Sequence, residues 1–223
     1  MNKNSSLLRL YFIAGSQDCR HLPGDPARHL LNILQKALQA GISCFQFRDK
    51  GPGSLQQDRR KQYQLAEQCR DLCRRHQVPF IVNDDVEMGL AIEADGLHTG
   101  QSDTRIEKII RHAPPHLILG LSINNQAQAL AAEKLERIDY FGVGPIFPTQ
   151  SKADAQAAVG PEFIAALRRQ GIRKPIVAIG GINQENLPQL RHKGAQGIAL
   201  ISAITRAENI QQRVQQLLKI QID

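Results

Sequence analysis

Three stretches of this chain set out cations, amides and hydroxyls where a phosphorylated ligand could use them. In Gln46-Phe47-Arg48-Asp49-Lys50, side chains of an extended segment alternate with period two, so Gln46, Arg48 and Lys50 share one side. Two cations and an amide facing one way match a phosphate or diphosphate, with Arg as a planar fork and Lys as a point charge. The competing reading is a solvated strand edge. The second stretch, Tyr140-Phe-Gly-Val-Gly-Pro-Ile-Phe-Pro-Thr-Gln-Ser-Lys152, starts small and apolar and is stopped by Pro148. It then offers the hydroxyls of Thr149 and Ser151 and the ammonium of Lys152. The third is split between Gly180-Gly181 and Ile201-Ser202, where backbone N–H groups and a hydroxyl can form a phosphate cup.

Carboxylates fall beside the first stretch. Asn83-Asp84-Asp85 and Asp103 are spaced to reach the same rim as Arg48 and Lys50. Magnesium is commonly held by one or two carboxylates plus phosphate oxygens, so Asp84 and Asp103 are candidate ligands. Asp85 and Asp103 could instead cap the helices that follow them. His98 reads as a packed histidine rather than a base. No Cys–His or Ser–His pairing at the rim points to a covalent nucleophile. Two anion sites, a metal and no nucleophile point to a transferase whose leaving group is diphosphate.

These residues need a scaffold that delivers strand ends to one place. Eight short apolar runs qualify as buried parallel strands: Arg9–Ala14, Ser43–Arg48, Pro79–Asn83, Gly96–Thr99, Leu117–Leu121, Tyr140–Gly144, Pro175–Ile179 and Gly197–Ile201. Helical patterns alternate with them, at 55–76, 86–94, 104–112, 125–137, 161–169, 184–193 and 207–218, after a first helix opened by Asp25-Pro26 and closed by Gly41. Pro188 within the seventh predicts a short or late-starting helix. Eight βα units in 223 residues predict a single (β/α)8 TIM barrel spanning 1–223, whose active site lies at the C-terminal ends of its strands. An open doubly wound sheet is the alternative. The polar, alanine-rich stretch 150–158 reads as a loop.

Composition narrows the partners. Hydrophobic residues make up 42% and charged residues 22%, ordinary for a globular chain, and no apolar run approaches the ~20 residues of a membrane span. The first residues are too polar for a secretory signal, so a cytoplasmic location is expected. A net charge of +7 raises the question of nucleic acid, but there is no Trp and aromatics are 4%, so no stacking platform is visible. The charge reads as a surface that attracts small anions. Cys69, Cys73 and His76 could be imagined as metal ligands, yet Cys69, Leu72 and Cys73 fall on one apolar helical stripe and read as core.

Taken in order, Gln46-Phe-Arg-Asp-Lys50, Val82-Asn-Asp84, Asp95-Gly-Leu-His-Thr-Gly-Gln-Ser-Asp103, Gly142–Lys152 and Val177-Ala-Ile-Gly-Gly-Ile182 resemble the thiamine phosphate synthase family over nearly the whole chain. That resemblance implies coupling of a hydroxymethylpyrimidine diphosphate to a thiazole monophosphate, with release of diphosphate and formation of thiamine phosphate. It assigns Gln46, Phe47, Arg48, Asp49, Lys50, Asn83, Ser122 and Lys152 to the pyrimidine diphosphate, with Arg48, Lys50, Ser122 and Lys152 acting in catalysis. It assigns Asp84 and Asp103 to Mg2+, and Thr149, Gln150, Ser151, Gly181, Ile201 and Ser202 to the thiazole phosphate. The implied partners are phosphorylated small molecules, not nucleic acid or membrane, with homo-oligomerisation left open. The chain departs from the family's frequent pattern at Asp85, Asn124, Gln128 and Ser151. A related thiazole tautomerase, or a non-catalytic phosphate-binding barrel, is the rival; neither needs both the Gln46/Arg48/Lys50 row and paired carboxylates.

Overall fold

The computed structural model describes residues 7–101, 106–151, 156–220 and 222. Eight parallel strands close into one barrel in sequence order, with the eighth paired back to the first. They are β1 (Leu10–Ala14), β2 (Cys44–Phe47), β3 (Phe80–Asn83), β4 (Gly96–Thr99), β5 (Ile118–Ile123), β6 (Tyr140–Val143), β7 (Ile176–Ile179) and β8 (Gly197–Leu200). The barrel, not the open sheet, is therefore the fold, and each strand lies within two residues of its expected bounds.

Alternation along the strands builds two cores. Leu10, Phe12, Phe45, Phe47, Phe80, Val82, Phe141 and Val143 face outward and pack against the helices. Tyr11, Ile13, Cys44, Ile81, Tyr140, Val177 and Ala199 face inward, joined by Leu7 and Leu8. Gly120 and Gly142 make room for the large inward side chains. A Cβ on Gly120 would sit 2.2 Å from the Tyr140 ring and 2.4 Å from His98 Nδ1; one on Gly142 would lie 2.9 Å from His98 Cε1.

The helices are α1 (Pro26–Ala40), α2 (Arg59–Arg75), α3 (Val86–Ala91), α4 (Ile106–His112), α5 (Gln126–Glu133), α6 (Glu162–Arg169), α7 (Ser202–Thr205) and α8 (Ile210–Leu218). Asp25, Asp58, Asp85, Asn125 and Asn209 cap five of them by accepting backbone N–H bonds in the first turn. The second helix starts at Arg59 rather than Leu55 because the Asp49 carboxylate takes the Leu55 N–H and Asp58 N–H bonds back to Leu55 O. Between β7 and β8 the expected helix is only a 3-10 turn, Leu187–Leu190. Pro188 lacks an N–H, and the Asn183 side chain accepts from the N–H groups of Glu185 and Asn186, holding the approach as a turn. Cys69 and Cys73 lie on the buried face of α2, in the outer core, as the stripe predicts. No described helix is long and apolar enough to cross a membrane.

Below the barrel, Arg168 on α6 ties together the segments that enter β7 and β8. Its guanidinium donates to Gly194 O, Ile172 O, Lys174 O and Gln196 Oε1 at 2.7–2.9 Å. Lys could not reproduce this fork. Both Arg168→Lys and Arg168→Met should lower the unfolding free energy by about 2–4 kcal/mol, since several carbonyls lose charged partners together. Urea denaturation monitored by circular dichroism measures this; a change below about 0.5 kcal/mol would show the clamp to be incidental.

Candidate active site

At the C-terminal end of the strands lies a cavity of about 370 Å³. Arg48, Lys50, Asn83, Asp84, Ser122, Thr149, Ser151, Gly181, Ile201 and Ser202 all line it. The structure thus brings together residues drawn from six strand ends. Gln46 sits inside the barrel, 1% exposed, with its Nε2 donating to Tyr11 OH at 2.9 Å. Arg48 and Lys50 follow on the same side, as period two requires.

Phe47 and Asp49 go the other way. Phe47 belongs to the outer core and stacks near Phe80. The Asp49 carboxylate accepts from Ser16 N at 2.7 Å, Ser16 Oγ at 2.5 Å and Leu55 N at 2.8 Å. These two residues shape the loop that carries Arg48 and Lys50 and do not line the cavity. Gln150 is exposed and also outside the lining. Lys152 and Asp103 lie outside the described residues, as does the middle of the 150–158 loop.

Asp84 occupies a strained position. Its φ is +61°, in the left-handed region, where Asp and Asn are tolerated far better than bulkier residues. Asp84 N donates to His98 O, and its Oδ2 accepts from Asn83 Nδ2 at 2.7 Å and Lys50 Nζ at 3.0 Å. The Lys50 side chain is 39% exposed, so this ion pair is worth no more than about 1 kcal/mol and can yield to a ligand. Asp85 turns away: it caps α3 through Met88 N and pairs with Arg59.

Across the cavity the described groups are neutral. Gly180 and Gly181 have φ of +97° and +63°. A Cβ on Gly181 would come within 2.5 Å of Pro148 O, so the β7 and β6 loops touch only because residue 181 is glycine. Ser151 Oγ and Ser202 Oγ are 3.2 Å apart, and Thr149 Oγ1 accepts from Ser151 N. Asn124 and Gln128 also line the cavity. Asn124 Nδ2 donates to Gly144 O, and its N–H donates to Gln128 Oε1 at 2.8 Å. These amides thus hold the β5 loop to the β6 end.

Sequence reasoning missed Gln101, which lines the cavity and donates to Ser122 O at 3.0 Å. It also missed Tyr11 and Tyr140, whose buried hydroxyls lie 2.8 Å apart under the cavity. Burial pushes both phenols well above their ordinary range, so each stays protonated. A tyrosine in an otherwise apolar inward stripe was the available signal. His98 is packed, as expected, with Nδ1 3.0 Å from Tyr140 OH and Nε2 3.0 Å from Ser122 Oγ. Beside Arg48, burial raises Asp18 to about 6 against the hydrogen bond from Gly15 N. The four thiols, Cys19, Cys44, Cys69 and Cys73, are all pushed up by burial, which leaves them poor nucleophiles.

Comparison with known proteins agrees with this geometry. The chain is 58% identical over 217 residues to the thiamine-phosphate synthase of Actinobacillus succinogenes, covering 97% of this chain and 98% of that one. It is equally similar to the thiamine-phosphate synthase of Mannheimia succiniciproducens, with 97% and 99% covered. Among solved structures, the thiamine phosphate pyrophosphorylase from Pyrococcus furiosus superposes with a TM-score of 0.79 at 32% identity, over 97% of this chain and 96% of that one. The family model described as thiamine monophosphate synthase matches residues 10–204, so the chain belongs to that family of transferases.

Proposed function

We propose that the cavity joins a hydroxymethylpyrimidine diphosphate to a thiazole monophosphate and releases diphosphate. One observation carries this reading in a chain of this family. A charged row, Arg48, Lys50 and Asp84, with the Asn83 amide beside it, and a neutral cup, Thr149, Ser151, Gly181 and Ser202, line the same cavity. A single anion would not need both.

In this reaction the bond from the exocyclic methylene to the diphosphate oxygen breaks, and the leaving group keeps the electron pair. The thiazole nitrogen then forms the new C–N bond with its own lone pair. No proton is transferred, so no general base is required. Arg48 and Lys50 stabilise charge that grows on the departing diphosphate. The cup on β6, β7 and β8 holds the thiazole phosphate so that its nitrogen faces the reacting carbon. The aminopyrimidine ring can delocalise positive charge on that carbon, which favours a dissociative path.

Asp84 offers a hard oxygen donor on the cavity wall, beside the Lys50 and Asn83 groups suited to phosphate oxygens. That set fits a magnesium ion shared with a diphosphate. Asp84 and Asp103 would hold it, and the ion would supply additional charge neutralisation to the leaving group.

With both substrates and magnesium, a coupled assay for diphosphate should show turnover. Binding without diphosphate release would favour a non-catalytic barrel, and conversion of a thiazole phosphate alone would favour a tautomerase. Asp84→Asn, chosen because Asn tolerates the left-handed backbone, should cost at least ~10²-fold in kcat with an unchanged circular dichroism spectrum. Near-normal turnover of that variant would sink the metal role. Ser202→Ala should raise KM for the thiazole phosphate about tenfold while leaving KM for the pyrimidine diphosphate unchanged. The reverse pattern would mean that the two subsites are exchanged.

A further inference from the structure

Five polar side chains cross the barrel interior in single file. Gln46 Nε2 lies 2.9 Å from Tyr11 OH, Tyr11 OH 2.8 Å from Tyr140 OH, Tyr140 OH 3.0 Å from His98 Nδ1, and His98 Nε2 3.0 Å from Ser122 Oγ. The file runs from β2 through β1, β6 and β4 to β5, and ends at a hydroxyl that lines the cavity. Four of its members are among the least exposed polar groups, with Tyr140 at 0%, Tyr11 and Gln46 at 1% and His98 at 8%.

The direction of the file follows from counting hydrogens. An amide nitrogen can only donate, so Tyr11 OH accepts from Gln46. A phenol has one hydrogen; Tyr11, which also touches the Cys44 thiol, gives it to the stronger oxygen acceptor on Tyr140. Tyr140 then gives its own to His98 Nδ1, which must be the unprotonated ring nitrogen. The ring proton is left on Nε2 and is donated to Ser122 Oγ. Ser122 therefore accepts from below, and its own hydrogen can be given to an acceptor in the cavity. Reversed polarity would require Gln46 to turn its amide oxygen to Tyr11, or Tyr11 to give its hydrogen to the weaker acceptor, the Cys44 sulfur.

We propose that Tyr11, Tyr140 and His98 are positioning residues that hold His98 as the Nε2–H tautomer, and so make Ser122 a hydrogen-bond donor to an acceptor atom of the bound pyrimidine diphosphate. The ligand half of this statement rests on the reading that Ser122 touches that substrate; the tautomer half does not. Gly120 and Gly142 are part of the device, since a Cβ at either would strike the His98 or Tyr140 ring. A pyrimidine diphosphate whose contact atom carried a hydrogen instead of a lone pair would have only the remaining lone pair of Ser122 to use, and would bind more weakly.

Two measurements test it. The first is 15N NMR of the ligand-free enzyme labelled at histidine, with the His98 signals assigned by their loss in His98→Gln. Nδ1 should be unprotonated and Nε2 protonated. An Nδ1–H tautomer, or a doubly protonated ring, would overturn the file's direction whatever the substrate. The second is a double-mutant cycle with Tyr140→Phe and Ser122→Ala. Tyr140→Phe should reduce kcat/KM for the pyrimidine diphosphate about tenfold, leave KM for the thiazole phosphate unchanged, and have little further effect once Ser122 is Ala. Losses that multiply would show that Tyr140 acts on stability or elsewhere, and would overturn positioning through Ser122. If Ser122→Ala leaves the pyrimidine diphosphate kinetics intact while the tautomer is as stated, the substrate assignment of Ser122 fails and the file itself stands. Should Tyr140→Phe not fold, Tyr11→Phe takes its place in the cycle, and the NMR result on the parent enzyme still decides the tautomer.

Discussion

Every inward-facing polar group in a small closed barrel must find its partner among the other inward-facing groups, because water has no room beside it. That constraint organises this molecule. The inner core is apolar at its base, with Leu7, Leu8, Ile81 and Val177. Above it the strands insert Gln46, Tyr11, Tyr140 and His98, each satisfied by the next. The Tyr140 and His98 rings fit only because β5 and β6 present Gly120 and Gly142 beside them. The floor of the cavity is thus a rigid polar layer whose members cannot reorient one at a time.

The walls above this floor differ in kind. On the β2 and β3 side the groups are charged and exchangeable: Lys50 holds Asp84 through an exposed pair of small net worth. On the β6, β7 and β8 side they are glycines and hydroxyls packed so closely that Gly181 has no space for a side chain. One wall can rearrange around a charged ligand; the other is fixed. The Arg168 clamp reinforces the fixed wall from below by locking the entries to β7 and β8.

Much of this was legible in the chain itself, for a physical reason. Buried parallel strands are short continuous apolar runs, and whatever polar residue follows such a run must lie at a strand end. That is how Arg48, Lys50, Asp84, Ser122, Thr149, Ser151 and Ser202 could be named together. Period two likewise separates Gln46 and Arg48 from Phe47 and Asp49, which face the helices. Sequence does not reveal contacts that exist only after closure. Tyr11 and Tyr140 are 129 positions apart, and although each stands out as a phenol in an apolar stripe, nothing local shows that they pair. Helix starts were misplaced where a distant side chain captured a backbone N–H, as Asp49 does at Leu55.

The left-handed backbone at position 84 has an evolutionary corollary. Two independent filters act there: the main chain favours Gly, Asn and Asp, and the magnesium role proposed for this position calls for a carboxylate. Asp suits both. A descendant released from catalysis would keep the first filter and lose the second, because the turn after β3 would still have to form. Its position 84 should therefore drift toward Asn or Gly, which take the left-handed backbone most readily. The residue found there would tell whether a barrel of this lineage still performs its reaction.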